Sequence, residues 1–211
     1  MKKYDNIFYF ALLSSITFIL AIISKKLLNS DELLINSLIE QFTNEQIESF
    51  LDFQEKWEWV SYCLIPLFLV LKISIIAAII DIGCFFFNQE IKYKKLFNIV
   101  VKAEFIFLLV IIFKTTWFYI FQQNYTLEDL QYFYPLSALN IVGYQGLETW
   151  FIYPFQVLNL FEIAYWFILS YLIGKEINYT TEKGFSIVAS SYGIGLLILV
   201  VGVMFLTLNM S

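Results

Sequence analysis

The sequence predicts an all-α fold: a polytopic membrane helix bundle of five transmembrane helices, with the N-terminus cytoplasmic and the C-terminus outside. Amphipathic helices are expected in the first outer loop. Three observations predict it. The 211 residues are 60% hydrophobic and 20% aromatic, whereas soluble domains sit near 45–50% apolar. Five apolar stretches are long enough to span about 30 Å of hydrocarbon at about 1.5 Å per residue. Lysines collect in alternate connections, which sets the orientation.

Residues 1–26 form the first segment. Lys2 and Lys3 precede an apolar run at 7–23, and Lys25 and Lys26 follow it. The run exceeds the usual signal-peptide core and no small-x-small cleavage site follows, so an uncleaved first membrane helix is expected. Residues 27–58 are an acidic outer segment with eight acids and one lysine, Lys56. Leu34, Leu38 and Phe42, then Ile47, Phe50, Leu51 and Trp57, recur at helical spacing. Thr43 followed by Gln46 suggests a capping box. Two short amphipathic helices are expected here, serving either as a cover for the helix ends or as a docking surface.

Residues 59–211 form a four-helix membrane domain. Its first span, 59–88, is long for the bilayer and should tilt, kink at Pro66 or protrude. A lysine-rich link follows with Lys92, Lys94 and Lys95. The next span is 96–122, and 127–136 could lie flat at the interface, ended by Pro135. The fourth span, 151–174, holds 24 residues and one formal charge, Glu162, near its middle. A polar link carries Lys175 and Lys183 ahead of the last span, 185–208. Lys2, Lys3, Lys92, Lys94, Lys95, Lys175 and Lys183 mark the cytoplasmic side. Trp57, Trp59, Trp117 and Trp150 then all fall at the outer boundary, as an aromatic belt would.

Six ionisable residues fall inside spans: Lys72, Asp81, Lys102, Glu104, Lys114 and Glu162. A carboxylate at mid-membrane costs about 2.5–3.5 kcal/mol on insertion scales, so each needs a partner, a proton or water. Depths counted along the helices allow an Asp81–Lys102 pair. They also suggest that Lys72 neutralises Glu162, with Asn159 as a hydrogen-bond support, and that Lys114 snorkels to the outer edge. The charges either fix helix register or line a proton or ion path. In the last span Ala189, Ser191, Gly193, Gly195 and Gly202 are small; Ala189-x-x-x-Gly193 and Ser191-x-x-x-Gly195 allow close helix approach, within the chain or between copies.

The composition excludes several classes. There is no His and no Arg, which removes the commonest metal ligand, the commonest general base and bidentate phosphate clamps. Cys63 and Cys84 fall about 30 Å apart on one helix and read as apolar fillers. No metal set, cofactor fingerprint, catalytic residue or nucleic-acid patch is expected.

Two blocks resemble a known family. One is the span at 66–88 with its link and FNIVVKAEFIFLLV at 97–110. The other is Tyr134-Pro135-Leu136-Ser137-Ala138-Leu139, then Leu158-Asn159-Leu160-Phe161, Trp166, Gly174 and the stretch 186–192. Together they are similar to the Yip-domain (Ypt/Rab-interacting) membrane proteins, bacterial type, over 66–208. The resemblance implies five spans, a cytosolic N-terminus, an outer C-terminus and action through protein partners. The chain departs from the family pattern at Asn88-Gln89-Glu90, where a glycine-rich link is usual, and in its short N-terminal segment.

The expected function is that of a non-enzymatic inner-membrane protein, a subunit or scaffold of a larger membrane complex. Its partners would be the lipid bilayer and other membrane or periplasmic proteins, met through 27–58 and lateral helix faces. An oligomer is an open option. The alternative is a small transporter or ion-pathway component using Glu162, Asp81 and Glu104.

Overall fold

The computed structural model describes residues 5–39 and 42–210, and every regular element among them is helical. Lys2, Lys3 and Glu40 lie outside the described residues. The chain opens with α1 (Asp5–Leu27) and α2 (Ser30–Ile39), followed by α3 (Asn44–Phe86). The capping box expected at its start is present: Thr43 Oγ1 accepts from Gln46 N at 3.4 Å, and Thr43 N donates to Gln46 Oε1 at 3.0 Å. The second amphipathic helix does not then stop. It continues through Trp57 and Pro66 as one helix of 43 residues, about 65 Å long. The boundary drawn at 58/59 therefore lies inside a helix. Pro66 removes one backbone donor but does not end the helix.

The next span is two helices in near-continuation, α4 (Tyr93–Glu104) and α5 (Ile106–Ile120), joined at Phe105. Three short helices follow: α6 (Leu127–Tyr132), α7 (Leu139–Val142) and α8 (Thr149–Val157). Then come α9 (Leu160–Glu176), α10 (Thr181–Val188), a π-helical turn over Ala189–Gly193, and α11 (Ile194–Met210). Among the described residues four helices are long and apolar enough to cross a membrane: α1, α3, α4 with α5, and α10 through α11.

The expected fourth span differs. It is broken at Leu158 and Asn159 into α8 and α9. Asn159 is extended (φ −138, ψ 160) and caps α9, its Oδ1 accepting from Glu162 N at 2.8 Å. The polar Asn explains the break, since its short side chain competes with the helix for backbone partners. Backbone groups freed inside an apolar bundle need partners from the protein itself. Here the segment 136–138 supplies them: Ala138 N donates to Leu158 O at 2.8 Å and Leu160 N donates to Leu136 O at 3.2 Å. Ser137 and Asn159 thereby form one antiparallel bridge. Asn159 Nδ2 closes the account, donating to Gln156 O and Val157 O.

Packing is uneven along the bundle. The lysine-rich half is dense: Ile73, Ala77 and Ile80 of α3, Leu96 and Val100 of α4, Leu169 and Ile173 of α9, and Ile187 of α10 are all fully buried. Helix α9 sits at the centre of this half, against α4, α5 and α10. Its approach to α10 is close because Gly184 has no side chain; a Cβ there would lie 2.0 Å from Ser170 O. At the acidic end α11 buries none of its residues and packs mainly on α8. A second capping box, unexpected from the sequence, opens α6 through Thr126 and Asp129.

Candidate functional site, a carboxylate in a lateral groove

The break in the fourth span and the π-helical turn in the last lie side by side. The π turn has a local cause: Ser190 Oγ donates to Ser186 O and Ser191 Oγ to Ile187 O, both at 2.7 Å. Such back-bonding loosens the i to i−4 ladder, and π turns frequently mark functional sites. The turn directs Tyr192 inward. Its Oη donates to Glu162 Oε1 at 2.7 Å, and Trp166 Nε1 donates to the same oxygen at 3.0 Å. Trp166 lies flat enough to do this because Gly193 leaves room; a Cβ there would meet Trp166 at 2.6 Å. Oε2 of Glu162 accepts no hydrogen bond from the described residues and is not sealed by the protein.

What Glu162 faces is a cavity of about 1400 Å³. Phe113 and Trp117 of α5 form one wall, Ile163 and Phe167 of α9 another, and Leu136 and Ile141 the acidic end. Phe113, Leu136, Ile141, Ile163 and Phe167 are exposed apolar side chains, so the cavity is a groove open along the side of the bundle. Its lining carries two acids, Glu162 and Asp129, and no lysine. Leu136 holds a positive φ of 54. For a bulky residue this is an outlier costing about 1–3 kcal/mol, kept where the surroundings over-determine it. Its carbonyl is committed to Leu160 N.

The other charges are arranged differently from the pairing expected. Lys72 does not neutralise Glu162; its Nζ lies 2.8 Å from Glu104 Oε2. Glu104 is 2% exposed and Lys72 46%, so the lysine reaches in from the surface to a buried acid. Lys72 of α3 reaches Glu104 on α4 directly, and its charge acts on Glu162 only at longer range. Lys72 also stands 4.3 Å over the Phe107 ring. Phe107 packs on Tyr165, and Tyr165 on Tyr192, so an aromatic column joins the ion pair to Glu162. Tyr165 Oη and Glu104 Oε1 are buried without a hydrogen-bond partner among the described residues.

Asp81 and Lys102 are not paired with each other. Both are exposed, and Lys102 lies 5.0 Å over the Tyr9 ring. Asn159 supports the Glu162 backbone, not its carboxylate. Lys114 is half-buried on α5. In the last span Gly193 and Gly195 meet Trp166 and Ile79, and Ser191 packs on Gly83, while Gly202 meets nothing; Ala189 opens the π turn. Cys63 is exposed and Cys84 buried, both unbridged on α3.

Sequence reasoning missed Tyr192 and Trp166 as partners of Glu162. The signal that could have found Trp166 is its i+4 spacing from Glu162; Tyr192 lies on another helix and leaves no such trace. At the acidic end Asp129 accepts from Thr126 N and from Tyr144 Oη at 2.8 Å. The Thr126 backbone N–H, with help from Tyr144, holds the Asp129 carboxyl below the usual carboxylate range. Among the described residues no cluster of His, Cys, Asp and Glu could hold a metal. Comparison of the chain with protein-family models, curated proteins and solved structures returned no match in any of the three.

Proposed function

We propose that this chain is a non-enzymatic, multi-pass inner-membrane protein and a subunit or scaffold of a larger membrane complex, in the manner of the Yip-domain proteins that it resembles. The N-terminus is cytoplasmic and the C-terminus outside. The broken α8–α9 unit is the fourth of five crossings, and the link holding Lys92 and Lys95 faces the cytoplasm. The observation that carries this reading is the apolar groove beside Glu162, because an apolar concavity of this size is a contact surface awaiting an occupant. The protruding start of α3, with Phe50, Phe53 and Trp57 exposed, offers a second contact outside the membrane.

The test is photo-cross-linking in intact cells from Ile163, 53% exposed on the groove wall. The control is Ile198, exposed on the outward face of α11. The expected result is a discrete protein adduct from Ile163 and only lipid adducts from Ile198. Identical lipid adducts from both positions would contradict the reading.

A second reading, a small transporter or ion-pathway component using Glu162, Asp81 and Glu104, draws on the broken helix, a device common in transporters. Two features weigh against it. The N-terminal end of α9 is already occupied by the Asn159 side chain and its own acid, Glu162, so it offers no open anion seat. The lysine-rich half beyond Tyr165 is densely packed. Solute or proton flux in liposomes that vanishes in Glu162→Gln would favour this second reading.

A further inference from the structure

The proposed subunit role leaves open what occupies the groove, and three observations narrow it. First, size. The groove runs beside Phe113 to Phe121 on α5 and Leu158 to Phe167 at the break and α9, which is about 13 Å of helix rise. The lining extends beyond that stretch to Tyr144 at the acidic end and to Phe185 on α10, and the volume of about 1400 Å³ is that of about 15 Å of a helix 10–12 Å across. Second, shape. Phe113, Trp117 and Phe121 repeat at i, i+4, i+8, and Ile163 and Phe167 at i, i+4. Ridges with that spacing receive the grooves of another helix.

Third, charge. Glu162 presents one oxygen to the groove with no donor among the described residues, while its other oxygen holds the hydrogen bonds of Tyr192 and Trp166. The lining carries no lysine. An intramembrane acid is paired with a base that helix packing brings within reach.

On the reading of this chain as a complex subunit, we propose that the groove seats one transmembrane helix of a different protein, bearing a lysine or arginine near its midpoint opposite Glu162. A second copy of this chain does not fit the part. Its Lys72 is engaged by Glu104, its Lys102 lies over the Tyr9 ring towards the lysine-rich end, and its Lys114 lies on α5, which is itself the groove wall and packs against α1 and α9.

The experiment uses the full chain in phosphatidylcholine vesicles with a synthetic 23-residue Leu/Ala helix, flanked by uncharged polar residues and labelled centrally with dansyl. The central residue is lysine in one peptide and leucine in the other. Energy transfer from the protein's tryptophans, with Trp117 and Trp166 lining the groove, reports binding. The lysine peptide is expected to bind at least tenfold more tightly than the leucine peptide. Glu162→Gln, which keeps an oxygen for Tyr192 and Trp166, should abolish the difference between the two peptides. Equal binding of the two peptides by the wild-type chain would overturn the proposal whatever the variant does. So would a lysine preference that survives in Glu162→Gln, or Glu162-dependent self-association of the chain in the same vesicles. A protein adduct at Ile163 in cells with no lysine preference in vesicles would refute the charge match alone. The converse would refute the subunit role alone.

Discussion

At the scale of single residues, a buried acid answers to the nearest donor that helix packing provides, not to the donor at the same depth. Glu104 is the clearest case. Its carboxylate is buried and its ion-pair partner is Lys72. Lys72→Met should therefore lower stability by about 2 kcal/mol, less than the 3–5 kcal/mol of a fully buried pair because Lys72 is half exposed. Adding Glu104→Gln should restore folded yield in mild detergent, whereas adding Glu162→Gln should not. The opposite pattern of rescue would return Lys72 to Glu162. Asn159 makes a second case. It supplies one acceptor and two donors at the break between α8 and α9. Asn159→Ala should cost about 2 kcal/mol or more in an SDS unfolding titration, a lost cap plus the bare Gln156 carbonyl, since Val157 O keeps the backbone N–H of residue 159. Asp129 gives a pH dependence outside the membrane. Its carboxyl titrates below its unfolded value, so its contribution to the α6 cap is complete above about pH 4 and lost as pH falls through the folded value. Limited proteolysis near residues 121–127 should rise over that acid range in the wild type, and be raised and pH-independent in Asp129→Asn.

At the scale of elements, the two irregular places in the last helical pair support each other. Segment 136–138 satisfies the break before α9, and the π turn after α10 brings Tyr192 to Glu162. The approach of α9 to α10 depends on Gly184. Gly184→Ala should cost about 3 kcal/mol or more, since its Cβ meets the facing backbone and overpacking there cannot relax. Gly202→Ala meets nothing and should be neutral or stabilising by about 0.5–1 kcal/mol. Thermal unfolding of the two variants side by side distinguishes them. The helical class and the Thr43 cap were legible in the sequence, because periodicity and capping are local signals. The break was not, although Asn159 stood in view. A 24-residue apolar run reads as one helix, and the strand-like partner that makes the break affordable lies more than 20 residues upstream. The Lys72–Glu104 pair was missed for a related reason: depth along a helix can be counted, but the direction each helix faces depends on packing.

At the scale of the whole molecule, one half of the bundle is a dense core and the other is splayed, with α11 packed mainly on α8 and a groove left along one flank. The lysine-rich and acidic ends should lie on opposite sides of the membrane. Lys92→Cys should react with an impermeant maleimide only after the cytoplasmic face is opened, and Glu128→Cys without opening it. Both the groove and the exposure of Glu162 depend on the fourth apolar run being interrupted and covered by residues 136–138. The direct test replaces Cys63 and Cys84 by serine and introduces Leu136→Cys with Leu160→Cys, residues that adjoin the Ser137–Asn159 bridge. In native membranes this pair should cross-link readily under mild oxidation, while Leu136→Cys with Leu197→Cys should not. Equal resistance of both pairs to oxidation would mean that 151–174 runs as one unbroken helix and that Glu162 does not stand where the groove requires it.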